Sequence, residues 1–130
     1  MDKEIVEVPV ISEVVRRLGV PLSPVVKAGG FVFVSGLPGM DLETGAVVAG
    51  DIEAQTEASL RAVRHALEAA GSSLDKVVKV TIYASNAAWF AKINRIYARH
   101  FPHRPPARTF VAVGSWPLEF DIEIECVALA

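Results

Sequence analysis

The stretch PPARTFVAVGSWPLEFDIEIEC, Pro105 to Cys126, decides how the chain is read. Two runs rich in β-branched and aromatic residues flank Gly114-Ser115-Trp116-Pro117, which predicts two antiparallel strands joined by a turn. With Val113 set opposite Leu118, Arg108 falls opposite Glu123, and directly opposed side chains lie ~5 Å apart on one face. The second strand alternates: Phe120, Ile122, Ile124 and Cys126 share one face, and Asp121, Glu123 and Glu125 share the other. The apolar row belongs under a helical layer. The acidic row needs water or another subunit, and Arg108 joins it in this register, which a slip of one residue would destroy. Two readings stay open for the charges. One is an ordinary cross-strand ion pair on a wet face, worth roughly 0–1 kcal/mol. The other is an anion-binding arginine beside a carboxylate acid/base, because a guanidinium fork matches a carboxylate at two points. Pro105-Pro106 stiffens the approach to Arg108.

Outward from this stretch, the chain divides at glycines and prolines. Glu4 to Ile11 is strand-like, Ser12 to Gly19 allows one helical turn, and VPLSPVV is an extended connection. PVVKA and FVFVSG, separated by Gly29-Gly30, predict a hairpin over Pro24 to Gly36. Leu37 to Gly45 is a loop. Asp51 caps a helix over Ile52 to Ala70, and Gly71 follows its end. Val77 to Ala84 is a strand, and AAWFAKINRIYARHF is a second helix with Phe90, Ile93, Tyr97 and Phe101 as its buried stripe. The order β-β-β-α-β-α-β-β predicts one α+β domain over residues 1–130, with about six strands in a mixed sheet and two helices on one face.

Composition narrows the class. Of 130 residues, 52% are hydrophobic and 22% charged, which suits a compact domain and not a disordered chain. The net charge of -2, without a basic patch, does not suggest a nucleic-acid partner. No run approaches the ~18 apolar residues of a membrane span. The opening MDKEIVEVPV lacks a signal-peptide core, so cytoplasm is the expected compartment. Cys126 is the single cysteine, which excludes an internal disulfide and a cysteine metal cluster; it reads as a small buried hydrophobe. The apolar content asks for a partner subunit over the second sheet face.

The blocks VFVSG with its proline loop and D-x-E-T-G, then GDIEAQT, VVKVTIY, PARTFV and IEIECVA, resemble in their order the RidA family of reactive-intermediate deaminases, also called YjgF or L-PSP. The resemblance covers about Pro24 to Ala128. It implies a chorismate-mutase-like fold of the bacillary type, a homotrimer, and sites in clefts between subunits. It implies hydrolysis of enamines or imines, such as 2-aminoacrylate and 2-iminopropanoate, to a keto acid and ammonia, without metal or organic cofactor. By position, Arg108 matches the arginine that pairs with the substrate carboxylate and Glu123 the glutamate that holds the attacking water. Gly36 matches a cleft glycine and Asn94 a helix asparagine near the site. Two positions depart from the pattern: Leu22, in VPLS, stands where G-P-Y-S has a tyrosine, and Phe110 stands where many members have cysteine.

These departures leave several expectations. The first is a deaminase of small imines, and a variant of it takes a larger enamine acid of the 2-aminomuconate type. Another is a non-catalytic module that binds a small carboxylic metabolite. Ribonuclease activity, attached by name to parts of the family, is disfavoured by the missing basic track. Other polar residues read as structural. His65 is a helix-surface residue, His100 and His103 suit a helix C-terminus, and Ser35 has no triad partners. Trp89 is a large anchor, and Trp116 either touches a neighbouring subunit or covers its own loop.

Overall fold

The structure, a computed structural model, describes residues 2–130. Its elements are β1 (Glu4–Val6), α1 (Ile11–Leu18), β2 (Val25–Ala28), β3 (Phe31–Pro38), α2 (Ile52–Ala69), β4 (Val77–Ala84), α3 (Phe90–His100), β5 (Ala107–Ala112) and β6 (Ile122–Leu129). Six strands form one sheet in the order β1-β2-β3-β6-β4-β5. The β4/β5 pair is parallel and the others are antiparallel. The expected α+β class and mixed six-stranded sheet are present. No described helix is long and apolar enough to cross a membrane.

Three expectations are corrected. The described residues form three α-helices, not two, because Ser12 to Gly19 extends into a helix of eight residues closed by Gly19 in the left-handed conformation. β1 stops at Val6, and Pro9-Val10-Ile11 forms a tight turn in which the Ile11 N–H donates to Pro9 O at 2.9 Å. Val10 sits there at φ 71°, a costly conformation for a β-branched residue, and its neighbours hold it. Val8 N–H donates to Ser12 Oγ at 2.8 Å, and the His65 ring donates to Pro9 O at 2.9 Å. The third correction is the largest: β5 and β6 are not a hairpin. β4 lies between them, parallel to β5 and antiparallel to β6. β4 is apolar enough to need a strand on each side. Residues 113–121 therefore cross its end, a gap of two strand spacings or roughly 9.6 Å. The crossing is tied down where Val113 N–H donates to Ala84 O at 2.9 Å and Ser85 N–H to Asp121 O at 3.0 Å.

Strand alternation builds the core. Ile122, Ile124, Cys126 and Ala128 of β6 and Val80, Ile82 and Ala84 of β4 are buried against Leu60, Val63 and Leu67 of α2 and Ile93 and Tyr97 of α3. Burying a large aliphatic side chain contributes about 1.5–3 kcal/mol, so this seam dominates stability. Cys126 is a packed hydrophobe, as expected: it is 3% exposed, and burial pushes its thiol up to about 12. α2 starts where the Asp51 carboxylate accepts from Ala54 N–H at 2.8 Å.

Gln55, 4% exposed, joins that helix start to β6. Its Nε2 donates to Asp121 Oδ2 and to Gly50 O, each at 3.0 Å, and its Oε1 accepts from Asp121 N–H at 2.9 Å. Ser85 Oγ donates to the other Asp121 oxygen at 3.1 Å. The entry of β6, two residues before Glu123, is thus held by part-buried hydrogen bonds. Gln55→Ala leaves Asp121 Oδ2 and the Asp121 N–H without their partners, and is expected to cost about 1–3 kcal/mol. Urea unfolding checks this: the midpoint should fall while the slope stays constant.

Candidate functional site

Arg108 lies on β5 at the register position of Val80, which pairs with Cys126, so its side chain leaves the sheet on the helix-covered face. There it runs along α3. Its Nη1 donates to Asn94 Oδ1 at 2.7 Å, and its guanidinium carbon stands 4.9 Å from the Tyr97 ring centroid and 5.5 Å from that of Phe90. Phe110, on the same face, meets Phe90 edge to face at 5.1 Å. Two rings and an amide therefore hold the cation in place, each cation–π contact contributing about 0.5–2 kcal/mol. Arg108 takes part in none of the ion pairs among the described residues. Its charge is oriented but unmatched.

Glu123 faces the other way. It pairs with Tyr83, which pairs with Val111, on the face opposite the helices. Its carboxylate rests on the backbone of Gly36, at an irregularity in the β3/β6 pairing between Val34 and Leu37. A Cβ on Gly36 would stand 2.6 Å from Glu123 Oε1, so only glycine permits this approach. Desolvation pushes the Glu123 carboxyl above the usual carboxylate range. Glu125 adds to that, while the neighbouring Trp116 side chain, a hydrogen-bond donor, pulls the other way. On the same face the Tyr83 hydroxyl donates to Glu125, whose bond raises the phenol's own titration.

Gly36 and Glu123 line a recess of about 240 Å³ that Leu22 also borders. The sequence candidates thus sort into two half-sites. Arg108, Asn94 and Phe110 form one on α3 and β5. Glu123, Gly36 and Leu22 form the other beside α1 and the 113–121 crossing. The expected facing pair of Arg108 and Glu123 is corrected: β4 separates their strands and the two side chains project from opposite faces. Counting from a hairpin assigned them to one face because the intervening strand is invisible to local register.

Some participants were read differently in the sequence. The sequence assigns Phe90 and Tyr97 to the buried stripe of the second helix; Tyr97 is buried, but Phe90 is 45% exposed, because it and Tyr97 floor the Arg108 guanidinium. Trp116 stacks on Phe120 at 4.7 Å and walls the recess, so it covers its own loop. The remaining polar candidates are structural. Ser35 Oγ donates to Ser23 O at 2.7 Å, and His100 donates to Glu57 at 2.9 Å.

The family model for endoribonuclease L-PSP matches residues 16–130. The chain belongs to this family, the RidA/YjgF family. Reactive Intermediate Deaminase A, chloroplastic, of Arabidopsis thaliana is 43% identical over 83% of this chain and 58% of its own length. A structure of an L-PSP protein from Entamoeba histolytica superposes with a TM-score of 0.90 at 33% identity, covering 99% of this chain and 100% of that one. E. coli TdcF with bound serine superposes with a TM-score of 0.77 at 33% identity, over 85% and 88% of the two chains. Relatives of this RidA/YjgF chain thus include a reactive intermediate deaminase.

The raised Glu123 carboxyl carries a sign. The folded state holds its proton to higher pH than the unfolded chain, so ionisation costs stability above the folded value and costs nothing below the ordinary value of 4.5. Glu123→Gln is therefore expected to be more stable than the wild type at pH 7, with the advantage vanishing below about pH 4. Urea midpoints at the two pH values check it.

Proposed function

We propose that the chain hydrolyses enamine or imine derivatives of 2-amino acids to keto acid and ammonia, as a homotrimer whose sites form between protomers. The observation that carries this reading is the separation just described. An oriented, unmatched guanidinium and a desolvated carboxylate lie on opposite faces of one sheet, so neither half-site is complete by itself. The face that bears Glu123 also exposes Ile5, Phe31, Phe33 and Leu129, apolar area suited to burial by another copy. Family membership and the deaminase relative support the same reading.

Arg108 of one protomer holds the substrate carboxylate in two-point geometry. The protonated imine carbon is already electrophilic, so the task is to place water against it. Glu123 of the adjoining protomer takes a proton from that water as the C–O bond forms. Glu123 returns that proton to the amino group of the tetrahedral adduct, which leaves as ammonia, and the carbinol hydroxyl proton is lost as the keto acid forms. Water supplies the oxygen, and the C–N bond is the one broken. A carboxyl with a raised titration is suited to both accepting and returning a proton. Chemistry of this kind calls for no metal or organic cofactor.

One observation favours a second reading, binding without turnover: Leu22 brings no hydroxyl to the Glu123 half-site. Kinetics separates the two. For 2-imino acids generated in place, Arg108→Ala is expected to lower kcat/KM by about 100-fold or more, and Glu123→Gln to lower kcat by about 10²–10⁴-fold. Mixing Arg108→Ala with Glu123→Ala chains, unfolding and refolding them together, should restore activity. In a randomly mixed trimer about a quarter of the interfaces join an intact arginine to an intact glutamate. A mixture as inactive as its components would reject the shared site, and wild type that binds keto acids without accelerating imine decay would select the second reading.

A further inference from the structure

We propose that the recess beside Glu123 receives the substrate's side chain, and that the preferred substrates are 2-imino acids bearing a branched aliphatic or aromatic side chain of about four to seven carbons. This rests on the deaminase reading and names its substrate class. Glu123 and Gly36, whose carboxylate and backbone lie against each other, both line the recess, and that reading places the attacking water at Glu123. The other walls of the recess include Val14, Val15 and Leu18 of α1, Leu22, and Trp116 and Phe120 of the 113–121 crossing. Its volume is about 240 Å³. Carbons packed at interior density take up roughly 25–30 Å³ each, so a side chain of four to seven carbons fits and a lone methyl leaves most of the space empty.

The alternative filling is water, and the walls do not suit it. Glu123 is the one ionisable residue that lines the recess, and a held water needs two to four polar partners. An apolar side chain displaces poorly held water and gains affinity by doing so. The same lining rejects a second carboxylate: no lysine or arginine borders the recess, and Glu123 repels an anion. A diacid such as an aminomuconate therefore fits this cavity poorly. Leu22, puzzling as a loss of a hydroxyl, makes sense as wall. α1 supplies much of the remaining wall, and the strained Val10 turn aims that helix.

The test compares kcat/KM of the wild type for imines made in place from L-alanine, L-leucine, L-phenylalanine and L-glutamate. The leucine and phenylalanine imines are expected to exceed the alanine imine by at least about tenfold, since single methylenes in an apolar pocket discriminate by 10–200-fold. The glutamate imine should be the poorest. In Val15→Phe, which fills the recess, the leucine-to-alanine ratio should fall at least about tenfold. Inhibition by 4-methyl-2-oxopentanoate at lower concentration than by pyruvate supports the same conclusion without any variant. Turnover that is equal for all four imines, or best for alanine, overturns the side-chain recess and leaves the deaminase reading standing. A bulky preference that Val15→Phe does not alter overturns the assignment to this recess. No acceleration of any imine overturns the deaminase reading and this inference with it.

Discussion

β4 stands between the two strands that carry the charged candidates, and the consequences of that placement run through the molecule. Because β4 is parallel to β5 and antiparallel to β6, Arg108 inherits the face of Val80 and Glu123 the face of Tyr83. Side-chain direction alternates along a strand, so these assignments cannot be exchanged without turning every neighbouring core residue outward. The buried Ile82 and Ile124 thereby lock Arg108 and Glu123 onto opposite faces. One protomer owns two chemically distinct half-sites, and the proposed assembly joins unlike halves of different copies.

Each half is stiffened by a different device. Arg108 is clasped by aromatic faces and one amide, which orient a cation without neutralising it. A carboxylate partner would have oriented it too, but would also have used up the charge that an anion must find. Glu123 is positioned by what is absent: the missing Cβ of Gly36 lets the carboxylate settle against backbone, partly withdrawn from water. Behind it, the Gln55–Asp121 hydrogen bonds hold the strand entry. Desolvation and close approach both cost stability, and the buried seam of β4, β6, α2 and α3 supplies it.

Much of this was legible from residue order. The 3.6-residue pattern after Asp51 and the apolar run at Val77 to Ala84 gave α2 and β4 within a residue, and the alternation of Ile122, Ile124 and Cys126 gave the buried side of β6. Other features were not legible, for identifiable reasons. α1 is short, and its start at Val10 adopts a backbone conformation that no propensity favours. Phe90 and Tyr97 look like any apolar helix stripe until a strand brings an arginine over them. Parity held a clue: Arg108 and Phe110 lie in phase, and Phe110 is a residue that seeks the apolar face.

The sequence by itself determined the class of fold, the buried face of β6, the family, and the residues that carry charge into an apolar domain. These follow from local periodicity and side-chain chemistry, which act over a few residues. Only the tertiary structure decided which strands adjoin, and so which face each charge occupies and which residues wall the recess. Strand adjacency is a long-range outcome, set when β4 had to cover both edges. A nine-residue crossing satisfies the chain equally well whether it spans one strand or none.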